Sequence, residues 1–108
     1  MAEKLIAVTD ANFRSEVEQS SLPVLVDFGA TWCGPCKALG VTLDGMVDEY
    51  DGRVKFVYVD IQGAPSTAQK FGIRSVPTII MFKNGSPTGS LIGAQPKPKL
   101  VELISSAR

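Results

Sequence analysis

Two rhythms of apolar and polar positions run along this chain of 108 residues. Apolar runs at residues 5–8, 24–28 and 54–59 have the length and branching of strands. The middle run, Val24-Leu25-Val26-Asp27-Phe28, is continuous enough for a strand covered on both faces. Between the first two runs, Thr9 and Asp10 offer N-caps to a helix over residues 11–19, where Phe13 and Val17 stand i, i+4 on one face. From residue 34 to 50, Leu39, Leu43, Met46, Val47 and Tyr50 recur at helical spacing. Pro35 falls in the first turn of this helix, where its missing N–H does no harm. Gly40 and Gly45 lie inside it and each costs up to about 1 kcal/mol relative to alanine, so packing must hold the helix together.

Residues 65–71 read as a short helix. Residues 78–82 and 90–92 read as the arms of a hairpin around Asn84-Gly85, with Pro87 outside the ladder or on an edge. Pro96 and Pro98 then precede a closing helix with an apolar stripe of Leu100, Val101, Leu103 and Ile104. The order is βαβαβα followed by ββα. Early β-α-β units require parallel strands and right-handed crossovers, and the late hairpin must be antiparallel, so an α/β fold with a mixed sheet and helices on both faces is expected.

Composition narrows this further. With 44% hydrophobic and 20% charged residues, a chain of this size buries about two-thirds of its surface, enough for one core, and residues 1–108 read as a single domain. Eleven basic residues balance eleven acidic ones, so no net field draws in nucleic acid or an anionic membrane. Residues 1–52 nevertheless carry nine acidic and three basic side chains, net −6, and residues 53–108 two acidic and eight basic, net +6. These charges are scattered among apolar runs, which points to two halves interleaved in one domain rather than to a basic arm. No segment reaches the roughly 18 apolar residues of a membrane span. The start MAEKLIAVTD has no signal-peptide apolar region or cleavage site, and a cytoplasmic, reducing compartment is expected. The chain has no histidine, which rules out Ser-His-Asp and Cys-His nucleophile pairs and HExxH zinc sites. Any general base must be another group.

The candidate chemistry is Trp32-Cys33-Gly34-Pro35-Cys36-Lys37, at the junction of a buried strand and a helix. A sulfur at a helix N-terminus meets unpaired N–H donors and the positive end of the macrodipole, which favours the thiolate. Two intervening residues let the second cysteine reach the first across one helical turn, so a mixed disulfide can be cleared within the molecule. A structural staple is the first alternative. Closing about four residues constrains the unfolded chain by only about 1.9 kcal/mol, against about 3 kcal/mol for a 15-residue loop. A zinc half-site is the second, and needs ligands from another chain; no metal is expected. Redox work by the pair outweighs both. Asp27, six residues before Cys33, is a charged residue inside an apolar strand. Its burial should raise its pKa toward neutrality and make it the acid and base for the Cys36 thiol. Its alternative is a place at an exposed strand end. Val76-Pro77 precedes the fourth strand, where a cis bond would make a fixed corner able to present backbone groups to an extended peptide, although a trans turn is the commoner state.

These motifs together resemble the thioredoxin family. WCGPCK follows VDF, GIRSVPT stands before the penultimate strand, FKNG makes the hairpin turn, and Gly93-Ala94 closes the last strand, in the family's order along essentially the whole chain. The resemblance implies a thioredoxin fold: a five-stranded mixed β-sheet flanked by four α-helices, with the cysteine pair at an exposed helix start. It implies that Cys33 attacks and Cys36 resolves, that Asp27 is the buried carboxylate, and that Pro77 is cis. Trp32, Gly34, Pro35, Val76, Pro77, Gly93 and Ala94 would form the substrate-binding surface. The implied function is general reduction of protein disulfides by a monomer that binds no cofactor, carries a redox-active Cys33-Cys36 disulfide, and is recharged by a flavin- and NADPH-dependent thioredoxin reductase. The alternative is a non-catalytic thioredoxin-like binding or chaperone subunit. Four positions depart from the pattern. Gly29 replaces a tryptophan, so a more open floor beneath the site is expected, and Val41 replaces a helix-kinking proline beside the flexible Gly40. Tyr58 replaces a lysine near the buried aspartate, and Gln62 an acidic residue.

Overall fold

The computed structural model describes residues 4–107. Its elements are β1 (Ile6–Val8), a π-helical turn (Arg14–Glu18), β2 (Val24–Gly29), α1 (Gly34–Val47), a 3-10 turn (Asp48–Tyr50) and β3 (Lys55–Asp60). They continue with α2 (Pro65–Lys70), β4 (Thr78–Lys83), β5 (Ser86–Ile92) and α3 (Lys97–Ser105). The sheet has the order β1-β3-β2-β4-β5. β3 is parallel to β1 and β2, while β4 is antiparallel to β2 and β5. The expected mixed sheet and its four helical segments are present.

β2 lies at the centre and every one of its residues is buried, which is why its sequence lacks alternation. Its side chains still alternate between faces. Leu25 joins Leu39, Leu43 and Met46 of α1 and Leu100, Leu103 and Ile104 of α3 in one core. Val24, Val26 and Phe28 face a second core beneath the π-helical turn and α2. There Phe71 packs on Phe13, Phe82 and Phe28 with ring centroids 5.4, 5.3 and 6.1 Å away, within the range of favourable aromatic pairs.

The segment expected to be helical over residues 11–19 forms only the five-residue π-helical turn. Phe13 and Val17 are nevertheless buried as their spacing required. Thr9 holds this entry, its carbonyl accepting from Phe13 N at 3.0 Å and its hydroxyl from Ala11 N at 3.2 Å. Asp10 does something else. Its carboxylate accepts hydrogen bonds from Ser66 N, Thr67 N and the Thr67 hydroxyl at 3.2, 2.8 and 2.6 Å. It thereby caps α2, whose own N-cap residue Ala64 has no side chain to do so. The long helix ends at Val47 and tightens into the 3-10 turn through Tyr50. β5 begins at Ser86, earlier than expected, and takes Pro87 into an edge strand beside the register shift at Met81/Phe82. Asn84 and Gly85 have φ of 53° and 80°, the positive pair that a tight hairpin turn of this kind requires.

The opposed charges of the two halves interleave as their scatter implied. Lys55, Lys70 and Lys97 pair with Glu16, Glu18 and Glu49 across the division.

Gly45 is exposed on α1, and a Cβ there would meet nothing within 4 Å. Gly45→Ala should therefore stabilise the protein by about 0.5–1 kcal/mol through helix propensity alone, read as a higher urea midpoint at unchanged slope.

Candidate functional site

Strand β2 runs straight into the site. After Gly29 the chain turns through Ala30–Trp32, where Cys33 N donates to the Ala30 carbonyl at 3.2 Å, and α1 starts at Gly34. Cys33 is the N-cap of this helix: its backbone is extended and its Sγ accepts a hydrogen bond from Cys36 N at 3.1 Å. The sulfur thus stands where a serine or aspartate oxygen would ordinarily cap a helix. Pro35 occupies the first turn, where it removes no intrahelical bond.

Cys33 and Cys36 form a disulfide with their Cα atoms 5.2 Å apart, inside the usual span for such a bridge. The Cys36 N–H and the positive end of the helix dipole face the Cys33 sulfur, while Cys36 lies one turn inside the helix. Trp32, Gly34 and Pro35 are exposed. The cysteines themselves are only 5% exposed, packed with Ala30, Ile61 and Val76. The expectation of an exposed helix start therefore holds for the residues around the pair and not for the two cysteines, which the β3–α2 loop and the segment before β4 cover.

That second segment carries Val76-Pro77, which is cis. The Val76 carbonyl oxygen lies 3.8 Å from Cys33 Sγ. Pro77 is buried, and its carbonyl accepts from Gly93 N at 2.8 Å. Gly93, at φ 91°, closes β5 beside it, and Ala94 and the 65%-exposed Ile92 flank it. Trp32, also 65% exposed, stands at the helix start. Strand pairing thus brings Gly93 to Pro77, and Val76 to the disulfide.

Behind the disulfide, Asp27 is 1% exposed in the middle of β2, which removes the strand-end alternative. Both carboxyl oxygens are fully buried and accept no hydrogen bond from any described group. Burial alone pushes its pKa up to about 7. Asp27, Cys36 and Tyr58 line one small cavity with Ala30, Thr31, Lys37 and Gly40, and about 20 Å³ of it can hold water, enough for a single molecule.

The floor expected to be open at Gly29 is occupied. A Cβ on Gly29 would fall 2.9 Å from Cε1 and 3.3 Å from the hydroxyl of Tyr58, so the phenol fills the space that a larger residue would take. Ile61, which packs against the cysteines, was not singled out by its sequence, because a lone apolar residue after a strand carries no pattern. Its N–H donates to the Gly29 carbonyl at 3.0 Å and fixes it there. Among the described residues no group of three or more His, Cys, Asp or Glu side chains is placed to hold a metal. No helix among them is long and apolar enough to cross a membrane.

Comparison with known proteins agrees with this geometry. The thioredoxin family profile matches residues 4–106. Thioredoxin 1 of Synechococcus elongatus is 46% identical over 98 residues, covering 91% of this chain and 92% of the relative. Thioredoxin C-2 of Corynebacterium nephridii is 42% identical over 96% of both chains. A thioredoxin of Rickettsia conorii is 46% identical over 93% of this chain and 95% of its own. With a disulfide capping α1, a cis-proline beside it and likeness along nearly its whole length, the chain belongs to the thioredoxin family and is a protein-disulfide reductase working through Cys33 and Cys36.

Proposed function

We propose that this chain acts as a single-domain, monomeric cytoplasmic reductant in which Cys33 is the attacking thiol, Cys36 the resolving thiol and Asp27 the proton acceptor. The observation that carries this reading is the Cys33 sulfur in the N-cap position, receiving the Cys36 N–H. The Cys33 thiolate attacks one sulfur of a substrate disulfide. A Cys33–substrate bond forms, and the other substrate sulfur leaves as a thiolate. Cys36 then gives its proton to Asp27 through the cavity and attacks the Cys33 sulfur. The internal disulfide forms and the second substrate thiolate departs. A carboxyl titrating near the working pH is well suited to take that proton and return it. Trp32, Gly34, Pro35, Val76, Pro77, Gly93 and Ala94 supply the surface on which the substrate chain lies, with the Val76 carbonyl available to an extended peptide. A flavin- and NADPH-dependent thioredoxin reductase restores the dithiol, and the chain itself holds no cofactor.

NADPH consumption with a thioredoxin reductase and a disulfide-bonded protein tests the reading directly. Turnover is expected, and its loss in a Cys33→Ser/Cys36→Ser variant that still binds substrate would separate chemistry from mere docking. Cys36→Ser alone should accumulate a mixed disulfide through Cys33, visible by mass spectrometry. Trapping only through Cys36, in Cys33→Ser, would reverse the roles.

Asp27 gives a pH signature. Its folded pKa of about 7 stands above its unfolded value of about 3.9, so the neutral acid is the form the fold prefers. Below the unfolded value both states are protonated and the carboxyl carries no penalty. Between the two values folding loses about 1.4 kcal/mol per pH unit, and above the folded value the loss levels off. Asp27→Asn should therefore gain up to about 4 kcal/mol more stability at pH 8 than at pH 4, measured by denaturant titration at both. It should also slow closure of the Cys33–Cys36 disulfide. A pH-independent stability difference would show that Asp27 is not a desolvated acid.

A further inference from the structure

Three observations converge on Tyr58, a residue to which the mechanism above gives no part. The first is register. β2 and β3 pair Asp27 with Tyr58 in parallel, and Gly29, two residues on from Asp27, points to the same face. The second is space. The volume above Gly29 is bounded by the Tyr58 ring and hydroxyl on one side and by Cys36 Cβ, 3.5 Å from an ideal Gly29 Cβ, on the other. Absence of a side chain at Gly29 is thus what lets the phenol reach toward the resolving cysteine. The third is the cavity. Tyr58 shares with Asp27 and Cys36 the walls of a space that admits one water. Burial, with the charges of Asp60 and Asp27, pushes the phenol above its ordinary pKa, so it remains a donor.

We propose that Tyr58 is the positioning residue of the proton-transfer step, its ring closing the floor left by Gly29 and its hydroxyl holding the water through which Cys36 hands its proton to Asp27. The step balances. Cys36 Sγ–H gives its proton to the water, the water gives one of its own to an Asp27 oxygen, and the Cys36 thiolate and a neutral Asp27 result. The other titratable groups around the pocket are Lys37, on its α1 wall, and Asp60, at the end of β3; β4 presents the apolar Ile79 opposite Asp27. A neutral donor orients the water and favours the Asp27 carboxylate only modestly, less than a cation would, so the carboxylate stays basic enough to take the proton.

This inference rests on the assignment of Cys33 and Cys36 above, and one experiment separates the two. The reduced protein is mixed with dithiobis-nitrobenzoate in a stopped-flow instrument. The first coloured thiolate is released when Cys33 attacks the reagent, and the second when Cys36 displaces the aromatic thiol from Cys33. A wild-type protein without two phases would overturn the assignment itself. With two phases present, the second should rise with pH through a midpoint set by Asp27. Tyr58→Phe, which keeps the ring, should slow that phase about fivefold at pH 7, the scale of one lost neutral hydrogen bond, and raise its midpoint. The first phase is the internal reference. Gly29→Ala places a methyl against the ring, displaces the hydroxyl from the other side and should slow the same phase. Tyr58→Lys, which supplies a donor again, should recover the rate and lower the midpoint. A second phase within twofold of wild type in both Tyr58→Phe and Gly29→Ala overturns the proposal. Slowing with an unmoved midpoint overturns it too, since the ring would then pack without its hydroxyl taking part.

Discussion

A carboxyl group that receives no hydrogen bond from any described residue, held in a strand covered on both faces, is the constraint around which this molecule is organised. Hydrophobic burial of β2 by two cores fixes the backbone that ends at the cysteines, and the same burial strips water from Asp27. The two effects have one origin and opposite signs. Apolar contacts stabilise the fold, and the ionised aspartate inside them destabilises it at neutral pH. The proposed uptake and return of a proton beside a buried sulfur gives such a group a use.

The site is then assembled by topology. The β2–α1 junction sets the Cys33 sulfur at a helix N-terminus. The antiparallel β4 brings Val76-Pro77 over it, and the β4–β5 ladder carries Gly93 to Pro77. None of these groups needs a long, flexible side chain to reach its place. Backbone N–H and carbonyl groups, a capping sulfur and a rigid proline make up this face, the docking surface proposed above for an extended chain.

Much of this was legible in the residues because it is local. Strand runs, helical stripes, Asn84-Gly85 and the Cys33-Gly34-Pro35-Cys36 junction each carry their pattern within a few positions. Features that depend on distant packing were not. Asp10 reads as a cap for the residues that follow it, yet it caps α2, 56 residues on, because chain geometry places Ser66 and Thr67 nearer its oxygens. The segment 11–19 has helical spacing and buries Phe13 and Val17 as that spacing requires, but it forms a single π-helical turn. Gly29 and Tyr58 each look like a loss when read singly, one of bulk and one of charge. Their compensation becomes visible only when β2 and β3 are laid side by side.

The alternation of halves across the sheet has a consequence for the chain as a divisible object. The turn at Gly52 is exposed, with φ of 78° and open space around it. A single cut there would yield one piece with β1, β2 and α1 at net −6 and another with the remaining three strands at net +6. β2 would lose both of its neighbours, β3 and β4, and β1 its sole partner, β3. The first piece could pair neither of its strands alone, the second would keep only the β4–β5 hairpin, and each would carry the charge that attracts the other. Cleavage at that turn would convert a unimolecular fold into a heterodimer whose assembly rate falls with added salt.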